Sequence, residues 1–261
     1  MLPLTASSQA IERLLTSNLI EFLDLGCGAG ASYEYVRRHT DMRVGLSLDL
    51  STDKIVQCRK VNDLAFAFDV ARLPTAPRSV SSAFCMHFLE HVEDGATVFQ
   101  IIEGALVACR DFLVVRQPYF DHDEALAALG CKTYWSDWSG HRTRLTRAMI
   151  DKLSVQLKTK RILDEVSIYG IDRIDHTSHS SILPLRAPPD QHDYDPAKHG
   201  AKPRTAIGGD CFREILAIFR RDTISRYGLR RIERVIETVE PRATLLAGAV
   251  GKLPKVALMA V

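Results

Sequence analysis

The chain has 261 residues, of which 46% are hydrophobic and 25% charged, with 15 glycines and 11 prolines. That composition is near the globular average and excludes a collagen-like or wholly disordered chain, and the length suits one α/β domain with insertions. Lysine plus arginine (34) nearly balances aspartate plus glutamate (32), which argues against a general nucleic-acid binder while leaving room for a local basic patch.

In chain order, residues 5–17 read as a short amphipathic helix with Ile11, Leu14 and Leu15 on one face. An apolar strand over 19–25 runs into the glycine turn 26–30, and a helix follows to His39. Residues 43–48 predict a second strand ending at Asp49, with Ser51 placed to cap a helix through Arg59. Residues 64–68 predict a third strand ending at Asp69, and 80–86 a fourth. From Asp94 to Cys109 the apolar residues Val98, Ile101, Ile102, Ala105 and Leu106 follow the spacing of a buried helical stripe. A fifth strand covers 111–116.

The second half is less regular. A short helix is expected at 124–129, a helix capped by Thr146 through Leu157, and a strand at 161–169. Residues 171–210 hold five prolines and four histidines without periodicity, which predicts a loop-rich, functional or mobile insertion. A last strand at 211–219 precedes a basic amphipathic helix from Asp222 to Val239, with Ile224, Tyr227, Ile232, Val235, Ile236 and Val239 inward and Pro241 ending it. Strands alternating with helices at this spacing indicate an α/β, doubly wound, mostly parallel sheet that binds its ligand at the carboxyl ends of its strands.

The six cysteines, at 27, 58, 85, 109, 131 and 211, include no CxxC pair, and several lie in apolar runs, as reduced core residues of a cytoplasmic protein do. No membrane span is expected, because no apolar run reaches roughly 18 residues, and the N-terminal residues do not read as a signal peptide.

The glycine turn follows a strand and opens a helix, so its amides and the helix N-terminus face one ligand. Asp49, at the tip of the next strand, is placed to accept the hydroxyls of a ribose. Asp24, two residues before the first glycine, puts negative charge where a pyrophosphate would sit. That disfavours a nicotinamide dinucleotide and suits a sulfonium with an α-ammonium group.

With these residues in place, the segment Glu21 to Gly30 (EFLDLGCGAG) resembles motif I of class I S-adenosylmethionine-dependent methyltransferases of the type 11 kind. Asp69 to Pro74 (DVARLP) resembles their adenine-contacting motif, and Phe84 to Val92 (FCMHFLEHV) their fourth-strand segment. The resemblance is close over roughly residues 15–118. It implies a Rossmann-like sheet of seven strands with an antiparallel last strand. It also implies S-adenosyl-L-methionine as cofactor, with Asp24, Gly26, Gly28 and Gly30 at its methionine end, Asp49 with Leu50 at the ribose, Asp69 and Val70 at the adenine, and Met86 and His87 beneath it. On this reading residues 1–221 are the methyltransferase domain, with the insertion at 171–210, and 222–261 a C-terminal helix and tail.

For the chemistry, a hydroxyl nucleophile must lose a proton, and histidine is the natural base. His91, His141 and His87 are the candidates: His87 and His91 follow the fourth strand, and His141 lies in the aromatic stretch 118–147 that also holds Trp135 and Trp138. Aromatic faces interleaved with aspartate and histidine suit a sugar, glycan or other small hydroxylated acceptor. His176, His179, His192 and His199 match no firm ligand spacing, so no metal is expected. The rival readings are a nucleic-acid methyltransferase, disfavoured by the near-neutral charge, and a non-catalytic cofactor-binding subunit. The mostly apolar tail 253–261 leaves a homodimer or partner docking open.

Overall fold

The computed structural model describes residues 3–248, so the apolar tail 253–261 lies outside the described residues. In the first half, α1 (Ser8–Thr16), β1 (Phe22–Leu25), α2 (Ala31–His39), β2 (Gly45–Asp49), α3 (Thr52–Cys58), β3 (Ala65–Ala67), β4 (Val80–Met86), α4 (Gly95–Ala108) and β5 (Cys109–Pro118) follow the expected alternation. The second half adds α5 (Asp123–Ala128), β6 (Cys131–Thr133), α6 (Arg147–Thr159), β7 (Glu165–Arg173), β8 (Ile182–Pro184), α7 (Pro196–His199), β9 (Phe212–Arg220), α8 (Arg226–Glu237) and β10 (Ala243–Ala247).

Helix starts are set by side chains that take up free backbone amides. Ser51 accepts from the Lys54 N–H, Asp94 from Thr97, Thr146 from Met149 and Ser225 from Gly228. β1 and β2 are locked together at their starts by Glu21, whose Oε2 accepts the N–H groups of Arg43 and Val44 at 2.6 and 2.9 Å.

The main sheet runs β10-β7-β9-β5-β4-β1-β2-β3. β1 to β5 pair in parallel, and β9 inserts antiparallel between β5 and β7. This is the expected doubly wound, mostly parallel architecture with an antiparallel late strand. It carries one strand beyond the seven expected, because β10 pairs antiparallel with β7 at the edge.

Side chains alternate across the sheet. Leu23, Leu25, Leu46 and Leu48 face one layer with α1, α4 and α6. Phe22, Phe84, Phe112 and Ile218 face the other with α2 and α8. Three local expectations are corrected. Residues 161–164 turn instead of extending, because Arg161 takes a left-handed φ of 55° after α6. Tyr227, expected inward, is 65% exposed: α8 begins at Arg226, and its buried stripe starts at Gly228 and runs through Ile232 and Val235. The segment 171–210 is not without regular structure. It contributes β8, paired antiparallel with β6, and buries Ile174, Ile182 and Ile207 against Phe120, Leu126 and Trp135 in a separate small core.

Candidate active site

The carboxyl ends of the parallel strands meet the start of antiparallel β9 along one rim, and most of the residues singled out from the sequence gather there. The glycine turn takes left-handed φ angles at Gly26 (69°), Gly28 (52°) and Gly30 (102°). The three glycines serve different ends. A Cβ on Gly26 would lie 2.0 Å from the Phe88 ring, and one on Gly30 would lie 2.7 Å from Val61. A Cβ on Gly28 would meet nothing within 4 Å, so of these three Gly28 alone opens the backbone to a ligand.

Asp49 fastens the turn. Its Oδ2 accepts from the Gly28 N–H at 2.9 Å and its Oδ1 from the Ser51 N–H at 2.9 Å. Leu50 beside it is 76% exposed. Asp24 is fully buried beneath the turn and accepts from the Ser32 and Ser47 hydroxyls at 2.6 and 3.1 Å. Burial raises its pKa to about 6, against the lowering effect of those two hydroxyls. Asp69 caps the following 3-10 turn through the Ala71 N–H, lies 3.3 Å from Arg72, and keeps its side chain 44% exposed, while Val70 is buried. Met86, half-buried, closes β4 opposite Arg116.

His87 follows in a left-handed conformation, φ 51°, which costs a residue with a Cβ on the order of 1–2 kcal/mol. Two carboxylates hold it there: its Nε2 lies 3.0 Å from Glu214 on β9 and its Nδ1 3.5 Å from Glu90. Burial works to lower its pKa, but the hydrogen bonds to Glu214 and Glu90 outweigh it and raise it to about 9. Burial pushes Glu214 upward, and His87 with Arg116 override it, bringing its carboxyl to about 2. Both ring nitrogens of His87 thus face carboxylates, which favours the protonated ring over the free lone pair that the role of base requires.

His91 and His141 meet edge to face with ring centroids 5.1 Å apart. His91 Nδ1 lies 2.9 Å from the Gly140 carbonyl, and His141 Nδ1 lies 2.8 Å from the Trp135 carbonyl. A carbonyl only accepts, so each Nδ1 carries a proton, and in the neutral ring the lone pair lies on Nε2. Burial lowers the His141 pKa further, which favours the neutral ring. Glu90 completes the group: it is 1% exposed, and its Oε2 has no hydrogen-bond partner. One ligand atom from each of Glu90, His91 and His141 lies within 4.8 Å of the other two, a grouping missed in the sequence because His141 is remote in the chain. The Arg142 and Thr143 N–H groups donate to the Glu90 carbonyl at 2.7 and 3.1 Å, and this backbone pairing brings the two segments together. Among the described residues, His176, His179, His192 and His199 belong to no such three-ligand group.

The aromatic stretch is largely core. Tyr119, Phe120 and Trp135 are buried, and the Trp135 indole N–H donates to the Tyr119 carbonyl at 2.8 Å. Trp138 and Tyr134 stay partly open and pack against His192. Arg144 is engaged with the Ser136 carbonyl and Asp123.

A sheet of this order, with an open glycine turn fastened by a carboxylate at the next strand tip, is the architecture of class I, Rossmann-like methyltransferases. Residues 23–107 match the model of the methyltransferase domain family. The fold is similar to a SAM-dependent methyltransferase from Archaeoglobus fulgidus (14% identity, 83% of this chain and 95% of that one, TM-score 0.51). It is also similar to the small RNA methyltransferase HEN1 (14% identity, 86% of this chain and 27% of that one, TM-score 0.50). No curated protein matches the sequence. Among the described residues no helix is long and apolar enough to cross a membrane.

Proposed function

We propose that the chain methylates a hydroxyl group of a sugar, glycan or other small polyhydroxylated acceptor. The observation that carries this reading is the Glu90–His91–His141 group, beside the end of β4, with two imidazole rings tied at Nδ1 and one buried carboxylate oxygen without a hydrogen-bond partner. The cofactor supplies a methyl group already activated on a sulfonium, so the chain's task is alignment and removal of the acceptor's proton. Open space above Gly28 fits a ligand lying against the turn, and Asp49, Asp69 and Val70 are assigned to its ribose and adenine, with Asp24 charging the floor beneath its methionine end. His91 and His141 handle the acceptor hydroxyl, and His87 fixes the rim through Glu214. Six unpaired, buried cysteines support a cytoplasmic location.

A screen of sugars, phenols, amines and carboxylates for a methyl mass gain tests the reading: gain on hydroxyl acceptors is expected, and turnover confined to amines rejects it. A second reading, an RNA or other phosphate-bearing acceptor, is favoured by one feature. A cleft of about 580 Å³ is lined by Arg38, His39, Arg116, Arg234 and Arg242, with Glu237 as its acidic member. Binding to RNA that weakens steeply with salt selects that reading.

A further inference from the structure

We propose that Glu90, His91 and His141 form a binding site for one divalent transition-metal ion, of the zinc, manganese or cobalt kind, which holds the acceptor hydroxyl; that role rests on the hydroxyl-acceptor reading. Four observations converge. The donor set, two imidazoles and a carboxylate, is one that such ions take. Each histidine has its Nδ1–H committed to a backbone carbonyl, Gly140 for His91 and Trp135 for His141, which fixes the tautomer with Nε2 as the free ligand atom. The Glu90 Oε2 is buried without a hydrogen-bond partner, while the other oxygen, Oε1, lies 3.5 Å from His87; a buried acceptor left unpaired costs on the order of 1–3 kcal/mol. One nitrogen or oxygen from each of the three side chains lies within 4.8 Å of the other two. Ligands on one ion with bonds of about 2.1 Å sit roughly 3–4 Å apart, so the set has to draw together by roughly an ångström to take an ion.

Three protein ligands leave positions open for an exogenous oxygen, as in a catalytic rather than a structural site. Coordination lowers the pKa of a hydroxyl there. The acceptor O–H gives its proton to water, the oxygen forms the new O–C bond to the methyl carbon, and the S–C bond breaks with its electron pair staying on sulfur. The histidines then act as ligands, and the ion replaces a direct histidine base.

The test uses the full chain, stripped with a chelator and titrated with Co²⁺, followed by visible absorption and by competition with Zn²⁺. One Co²⁺ per chain with a ligand-field band is expected, together with a rise in melting temperature on adding Zn²⁺. Glu90→Gln, His91→Gln and His141→Gln should each weaken uptake by roughly a hundredfold, while His176→Ala, remote from the group, binds as the native chain does. A variant that fails to fold is recognised by its melting temperature without metal, and the remaining two then decide. No stoichiometric uptake, or uptake unchanged in the variants, overturns the site. Full turnover on a hydroxyl acceptor by the stripped chain overturns the ion's role alone. Uptake with turnover only on amines overturns the hydroxyl reading and leaves the metal site standing.

Discussion

At Gly28 the backbone holds φ at 52° with open space where a side chain would be, whereas at Gly26 the same kind of angle is filled by the Phe88 ring. The two positions should therefore separate in experiment. Gly28→Ala is expected to cost about 1–2 kcal/mol in stability from the left-handed conformation, and to weaken cofactor binding by at least about tenfold. Gly26→Ala must displace Phe88 and should lower the melting temperature more severely. Calorimetry and thermal unfolding on both variants check this order. Asp49→Ala removes an acceptor from the Gly28 and Ser51 amides along with the proposed ribose contact, and should weaken the cofactor by about ten- to a hundredfold. Equal affinity in a folded Asp49→Ala chain would reduce Asp49 to a cap. Asp24 gives a pH prediction. Its pKa is raised by burial from the ordinary 3.8 to about 6, so the native state holds the proton over a range where the unfolded chain has lost it. Stability from this group is then highest below about pH 4 and falls as pH rises towards and just past 6, by roughly 3 kcal/mol in all. Asp24→Asn keeps a neutral oxygen for Ser32 and Ser47, so its stability relative to the native chain should climb between pH 4 and 7 in urea titrations. A constant difference across that range would contradict the assignment.

Among the elements, α8 shows how a late helix is fastened to the sheet. Asp111, on β5, accepts from the Ser225 N–H at 2.7 Å and from the Ser81 hydroxyl at 2.7 Å, and Arg231 on α8 donates to the same Ser81 hydroxyl. Gly228 lets the helix approach, since a Cβ there would lie 2.6 Å from the Asp111 carboxyl carbon. Asp111→Ala should cost about 1–3 kcal/mol and speed amide exchange in α8 first. A lower urea midpoint with unchanged exchange in α8 would place the loss elsewhere. The elements also show which parts of the fold are legible in sequence. β1, β2 and β4 are buried along their length, so each reads as an apolar run ending in a glycine or polar group. β8 is three residues long, too short for a period to register, and its stability comes from pairing with β6 across a wide stretch of chain. Ile162 and Leu163 carry a strand-like composition but sit in a turn, because the left-handed Arg161 ends α6 just before them. The Glu90–His91–His141 group is half visible: His91 and His141 are marked as candidates but Glu90 is not, and the backbone bonds from Arg142 and Thr143 to Glu90 that bring them together leave no local pattern.

Across the whole molecule, two cores of unlike size stand side by side: the sheet with its two helical layers, and the smaller cluster of Phe120, Leu126, Trp135, Ile174, Ile182 and Ile207. Hydrogen exchange should divide along that line. Amides of β1, β4 and β5 are expected to exchange only on global unfolding, and those of Ile182, Leu183 and Ile207 at a lower, common free energy as one opening unit. Uniform protection across both would show a single cooperative unit.

Phe88 joins the two working parts more tightly than their separation in sequence implies. Its ring fills the space over Gly26, and its backbone leads directly into the 3-10 turn Leu89–His91 that carries Glu90 and His91. A displacement of the glycine turn is thus a displacement of the residue that precedes the proposed acceptor group, through one benzyl side chain. Thermodynamic reciprocity then applies to the pair. If cofactor tightens an ion or acceptor at Glu90 and His91 by some factor, that ion or acceptor tightens the cofactor by the same factor. Trimming the lever with Phe88→Ala should erase the cooperativity in both directions at once, leaving two sites that fill independently.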